Sequence, residues 1–142
     1  MQIKIKKLHP NAKIPIYAKD GDAGLDLTAV TKIKESADQV IYGTGISLEI
    51  PKGFVGLVFP RSSIRNTQLS LSNAVGVVDS GYRGELQATF NKLQGRYSKS
   101  YELGERIIQL IIIPYPLIEF IEVDELSTTD RGNQGFGSTG KL

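Results

Sequence analysis

Residues 71–91 read LSNAVGVVDSGYRGELQATFN. Two short runs that favour strand, Leu71–Val78 and Glu85–Asn91, flank Asp79, Ser80, Gly81, Tyr82, Arg83 and Gly84, which are rich in the residues that tight turns demand. The same rhythm runs through the rest of the chain, where short β-rich stretches are broken by Gly, Pro, Asn and Asp, and it predicts an all-β sandwich or barrel. Ile3 and Ile5 alternate with lysines in an expected edge strand whose charges discourage stray pairing. Further strands are expected over Gly24–Val30, Gln39–Tyr42, Ile46–Ile50, Phe54–Phe59, Arg106–Ile113 and Ile118–Val123. Helical pattern is scarce: Ser62 or Ser63 is expected to cap one short helix over Ile64–Gln68, and Leu93–Leu103 reads as a longer solvent loop.

At 142 residues and 40% hydrophobic, the chain fits a single domain with its own core, residues 1–142. Lys and Arg number 17 against 15 Asp and Glu, a net charge of +2, so there is no basic field of the kind that holds polymeric nucleic acid; a small anionic ligand fits better. Cysteine is absent, which removes disulfides, thiolate metal sites and thiol nucleophiles and suits a reducing cytoplasm. The start, MQIKIKK, alternates charge and Ile and does not read as a secretion signal. The most apolar stretch, Ile107–Ile118, is interrupted by Gln109, Pro114 and Pro116 and is too short to cross a bilayer, so no membrane partner is expected.

Four polar segments interrupt this β pattern. Asp79 follows Val75, Val77 and Val78 and is expected at the end of a buried strand, where a carboxylate needs a partner or a task; a plain β-turn through DSGY is the alternative. PRSS at Pro60–Ser63 ends a strand, so Arg61 and the two serines can converge on a phosphate or serve as an ordinary cap with a surface arginine. DAGLDL at Asp22–Leu27 carries two carboxylates, Asp22 and Asp26. The end, RGNQGFGSTGKL from Arg131 to Leu142, combines four glycines with Phe136, Ser138 and Thr139. It reads either as a frayed terminus or as an arm able to wrap a phosphate-bearing ligand.

The order and spelling of these segments resemble the five motifs of the trimeric dUTPase family. AGLDL at Ala23–Leu27, PRSS, GVVDSGYRGEL at Gly76–Leu86, GERIIQL at Gly104–Leu110 and RGNQGFGSTG at Arg131–Gly140 stand in the family order over nearly the whole chain. The resemblance implies a jelly-roll subunit of a homotrimer, with one short helix and a mobile glycine-rich arm over 130–142. It also implies hydrolysis of dUTP to dUMP and pyrophosphate with Mg²⁺, in active sites that three chains share. Asp79 matches the aspartate that orients the attacking water, and Asp26 the one that holds the metal through its hydration shell; Asp22 is the weaker candidate. Arg61, Ser62, Ser63 and Gln109 match the phosphate clamp. Asn73, Gly76, Val77 and Val78, with the backbone near Gln87, match the hairpin that reads uracil, and Tyr82 the aromatic under deoxyribose. Phe136 would stack over the base while Arg131, Gly137, Ser138 and Thr139 reach the terminal phosphates.

Ser63, Gly81 and Gln134 depart from residues that many family members carry there, Gly, Asp and Gly respectively, and none removes a group named above. His9 matches no family site and is expected at the surface, and Glu105 and Arg106 are read as a mutual pair or as solvent-facing. Two rivals remain. One is a dCTP deaminase of the same fold, whose catalytic Glu would stand where this chain has Thr89, a residue unable to act as acid or base near neutral pH. The other is a nucleotide-sensing regulatory protein that hydrolyses little.

Overall fold

The computed structural model describes residues 1–133. Ten strands follow one another: β1 (Lys4–Lys7), β2 (Leu25–Thr28), β3 (Thr31–Glu35), β4 (Gln39–Gly43), β5 (Ile46–Glu49), β6 (Phe54–Pro60), β7 (Leu69–Leu71), β8 (Gly76–Val78), β9 (Gln87–Lys92) and β10 (Arg106–Pro114). They form a four-stranded sheet in the order β2-β10-β6-β8, another in the order β3-β4-β9-β7, and a two-stranded ribbon β1-β5. Every pairing is antiparallel. The expected all-β class and jelly-roll architecture are borne out. Among the described residues no helix is long and apolar enough to cross a membrane.

The strands alternate inward and outward residues because one face of each sheet must leave water. Val40, Tyr42, Ala88 and Phe90 point in from β4 and β9, and Leu27, Ile107, Ile108 and Leu110 from β2 and β10. Tyr42, Phe90 and Tyr101 meet as a cluster of rings, centroids 5.6–6.4 Å apart, and the Tyr42 hydroxyl donates to the Tyr101 carbonyl at 2.7 Å. Tyr101 thereby pins the expected solvent loop 93–103 to the core, and a single turn of 3-10 helix, Gly95–Tyr97, shapes the rest.

Three expectations are corrected. The run Leu71–Val78 is two strands in different sheets, because the chain turns at Asn73–Ala74, where Ala74 takes φ +56° and its N–H bonds back to the Leu71 carbonyl at 3.0 Å. Thr31–Glu35, TKIKE, is a strand that was not expected; its outward face is charged, as in β1. Ile118–Val123 pairs with no strand among the described residues. Its apolar side chains face outward, with Phe120 93% and Ile121 82% exposed, so the expected burial is not found among the described residues.

Candidate active site

The phosphate-type residues are assembled by one row of the first sheet. Gln109 on β10 stands opposite Asp26 on β2 and opposite Phe59 on β6, so strand register alone places the first and fourth motifs beside the strand that leads into PRSS. The Gln109 amide donates to the Pro60 carbonyl at 2.9 Å. A Cβ on Gly24 would crowd the end of the Gln109 side chain at Oε1.

Arg61 follows at the end of β6. Its Nε donates to Asp26 Oδ1 at 2.6 Å, and its Nη1 to the Ser63 hydroxyl at 3.2 Å and the Arg106 carbonyl at 3.3 Å. Arg106 donates from Nη1 to Asp26 Oδ2 at 2.9 Å, reached because a register shift in β10 sets it opposite Thr28. Arg106 is therefore part of the cluster and does not pair with Glu105, whose carboxylate takes the Glu102 N–H at 2.7 Å. The expected helix is a 3-10 turn over Ser62–Asn66 that starts from Arg61 with no side-chain cap, so neither serine is spent as a cap. Ser62 is exposed and the first N–H groups of such a turn have no partner within it. A cleft of about 610 Å³ opens here, lined by Asp26, Arg61, Ser63, Lys99, Tyr101 and Arg106 among others. Burial pushes the Tyr101 phenol up from its ordinary value, with the Ser63 hydroxyl and the Arg61 charge pulling it the other way.

A hydrated cation fits this corner better than a bare one. Each Asp26 oxygen accepts one guanidinium N–H, and a carboxylate offers about four lone-pair sites, so acceptors remain for metal-bound water. Among the described residues no group of three or more His, Cys, Asp or Glu could cage an ion directly. A cation such as Mg²⁺, which sheds its waters reluctantly, would be held by Asp26 only through that water shell.

The second cleft, about 450 Å³, exists because the chain changes sheets between β7 and β8. Asn73, Gly76, Val77, Val78, Tyr82 and Gln87 all line it, so the structure brings the sequence-predicted nucleoside residues together. Gly76 is hemmed in: a Cβ there would lie 3.2 Å from Asn73 Nδ2 and from Val58 Cβ. Tyr82 lies across Gly84, where a Cβ would come within 2.6 Å of the ring, and its hydroxyl donates to the Glu85 carbonyl at 2.9 Å. Thr89 also lines this cleft.

Asp79 is not where the sequence placed it. β8 ends at Val78 and Asp79 is exposed, its carbonyl accepting the Tyr82 N–H at 3.0 Å in a tight turn, so the argument from a buried carboxylate fails and the turn through DSGY forms. It faces a third depression with Phe54, Leu57, Val77 and Tyr115, apart from the Asp26 cluster. Asp22 is taken up locally, its carboxylate accepting the Lys19 N–H at 2.9 Å. His9 is half-buried and uses Nδ1 to accept the Asn11 N–H at 3.1 Å, away from either cleft. Arg131 is exposed in a turn closed by the Gly132 N–H on the Thr129 carbonyl at 2.9 Å. Gln134, Phe136, Gly137, Ser138 and Thr139 lie outside the described residues.

A family model described as dUTPase matches residues 10–140. The chain belongs to the dUTPase family. The resemblance read from the five motifs is thus borne out. A deoxyuridine 5'-triphosphate nucleotidohydrolase of Corynebacterium glutamicum is 43% identical over 98% of this chain and 95% of its own length. The solved dUTPase of Staphylococcus bacteriophage 80alpha with dUpNHpp is 28% identical, with a TM-score of 0.86 over 98% of both chains. A dUTPase variant from phage phi11 of S. aureus, 23% identical and covering 88% of this chain and 98% of its own, shares the fold at a TM-score of 0.74; a structural Mg(II) ion is coordinated in that protein.

Three residues that line these clefts were not among the sequence-predicted site residues. Arg106 and Tyr101 line the phosphate-type cleft and Glu85 the nucleoside-type one. Arg106 carried a readable signal, a cation at the head of the strand that bears Gln109, but only the register shift reveals that it turns toward Asp26.

Proposed function

We propose that this chain hydrolyses dUTP to dUMP and pyrophosphate, removing a precursor of uracil in DNA and supplying dUMP for thymidylate synthesis. The observation that carries the proposal is the pairing of two sites in a dUTPase-family chain: a guanidinium-rich corner at Asp26, Arg61 and Arg106, and a cleft lined by Gly76–Val78. The corner suits phosphates, since guanidinium and hydroxyl donors reach several oxygens at once. The cleft suits a base read by main-chain donors and acceptors, which reject cytosine by wrong pairing and thymine by bulk. Tyr82 fills the space a 2′-hydroxyl would need.

The reaction forms a bond from water oxygen to the α-phosphorus and breaks the bond to the bridging oxygen, so pyrophosphate leaves. Asp79 takes the water's proton as attack proceeds. Arg61, Ser62, the Ser63 N–H and Gln109 hold the phosphates in line. Asp26 would hold Mg²⁺ through its water shell, and the ion would supply neutralisation of the phosphate charge.

A homotrimer with shared sites is part of the same reading. Two features support it: Asp79 lies apart from the Asp26 cluster within one chain, and the outward apolar run through Leu117, Ile118, Phe120, Ile121 and Leu126 calls for a covering surface. In that assembly one chain contributes Asp26, Arg61–Ser63 and Gln109, a second Asn73–Tyr82, and a third the arm 130–142 with Arg131, Phe136, Gly137, Ser138 and Thr139. A cytoplasmic location suits a chain without cysteine. Deamination of dCTP is disfavoured, because Thr89 lines the cleft where a carboxyl acid would be needed.

The test is pyrophosphate release from dUTP, dCTP, dTTP and UTP side by side, with and without Mg²⁺. Release from dUTP alone, raised by Mg²⁺, is expected; ammonia from dCTP, or no turnover of dUTP, would overturn the proposal.

A further inference from the structure

Glu85 has no role in the chemistry above, yet it is bonded through both its side chain and its backbone. Its Oε1 accepts the buried Gly45 N–H at 2.7 Å, and Oε2 faces Gln87 Nε2 at 3.4 Å. Its own carbonyl accepts the Tyr82 hydroxyl at 2.9 Å. Space for the carboxylate exists only because Gly43 lacks a side chain: a Cβ there would stand 2.5 Å from Glu85 Oε1. Among the described residues no lysine or arginine nitrogen lies within salt-bridge distance of Glu85, so charge pairing does not explain its placement.

The contacts form a chain from the β4–β5 turn to the ring. Gly45 sits in that turn with φ +66°, beside Thr44, whose hydroxyl donates to the Leu86 carbonyl at 2.7 Å. Ser47 donates to the Arg83 carbonyl at 2.6 Å, and the Leu86 N–H to the Ile46 carbonyl at 2.8 Å. Arg83 to Leu86 is thus laced to Thr44–Ser47 on one side, while the Tyr82 ring projects on the other, held at its hydroxyl by the Glu85 carbonyl and lying over Gly84. Arg83 also joins the two, but through the Tyr82 backbone carbonyl at 2.8 Å; Glu85 is the residue that joins the turn to the ring's hydroxyl.

We propose that Glu85 is a positioning residue for sugar discrimination: its carboxylate, as a hydrogen-bond acceptor for Gly45, acts with the Leu86 N–H bond to Ile46 in the same peptide unit to hold the Glu85 carbonyl where the Tyr82 hydroxyl finds it, and so keeps the ring rigid against a 2′-hydroxyl. The proposal rests on the reading of Tyr82 as the residue that packs under deoxyribose. A ring free to tilt makes room for ribose at little cost, whereas a fixed one does not. Reach matters and charge does not, so Gln can replace Glu, while Asp is one methylene too short.

The experiment measures kcat and KM for dUTP and for UTP with Glu85→Gln, Glu85→Asp, Glu85→Ala and Tyr82→Ala, each checked for fold by its urea midpoint. Glu85→Ala and Glu85→Asp are expected to lower the ratio of kcat/KM for dUTP over UTP by about tenfold, chiefly through a lower KM for UTP, while Glu85→Gln keeps it within about twofold. A merely structural loss would lower both substrates together and leave the ratio alone. Should Glu85→Ala not fold, the contrast between Asp and Gln decides. If Tyr82→Ala leaves the ratio unchanged, the sugar reading of Tyr82 fails and the proposal with it. If Tyr82→Ala collapses the ratio but Glu85→Ala and Glu85→Asp do not, that reading stands and the role of Glu85 is overturned. A Gln variant as relaxed as the Ala variant would overturn the acceptor argument.

Discussion

Asp79 separates two kinds of legibility at the scale of the residue. Its identity was readable, since it stands inside GVVDSGYRGEL, but its environment was not: the valines before it suggested burial, and the strand ends one residue too early for that. An exposed carboxylate in one chain is well placed to receive water, and its proposed role as general base predicts that Asp79→Asn keeps nucleotide binding while turnover falls on the order of a hundredfold or more. Equilibrium binding of a non-hydrolysable dUTP analogue beside steady-state kcat separates the two effects, and near-normal turnover would end the assignment. Gly24 shows the opposite case. The glycine in AGLDL belongs to a motif, and the packing of Gln109 against it is visible only in the structure. A methyl there would crowd the end of the Gln109 side chain, whose amide donates to the Pro60 carbonyl, so Gly24→Ala is expected to raise KM for dUTP more than it lowers stability, as KM and a thermal midpoint measured together will show.

Elements were read well where both faces alternate or the run is long, and poorly where charge hides a strand. β3 was missed because TKIKE offers one apolar residue, Ile33, and that one is exposed; the strand exists because β4 provides an edge and because Glu35 is tied across the sheet. Glu35 accepts Lys32 at 2.8 Å and Lys92 at 2.6 Å, and the Lys92 side chain is 4% exposed. The Lys32 hydrogen bond first, and the Lys92 bond second, hold the Glu35 carboxyl below its ordinary 4.5. A carboxyl with a depressed folded value stabilises the fold above the unfolded value and loses that contribution as pH falls through the folded one. Glu35→Gln is therefore expected to lower stability at pH 7 by about 1 kcal/mol, a figure kept small because Glu35 is itself partly in water. The gap from wild type should begin to close below about pH 4.5 and go on closing as the pH falls through the lower folded value. Urea midpoints at pH 7 and pH 3.5, at one protein concentration, check it; a gap that persists in acid would mean that lost packing, not the ion pair, is responsible.

At the scale of the whole molecule, Ile118–Val123 and the glycine-rich end pose one question under the proposed shared-site trimer, namely which chain supplies the surface that each of them covers. Sequence periodicity reports that a segment will be buried and is silent on whose surface buries it, which is why this strand was expected and is not formed within the described chain. Truncation after Thr129 tests the shared-site trimer directly. The removed residues are too polar and too rich in glycine to add much to a core, so the shortened chain is expected to stay folded and trimeric. Its activity should nearly vanish, since Arg131, Phe136, Ser138 and Thr139 would no longer close over base and phosphates. Full-length chains carrying Asp79→Asn are then co-refolded with the truncated ones and the trimeric mass confirmed. Neither parent is expected to turn over dUTP well, but a mixed trimer can set an intact Asp79 from one chain beneath an intact arm from another. Recovered activity that rises and falls with the mixing ratio is the expected result. Verified mixed trimers without any recovery would mean that each arm closes over its own subunit's site.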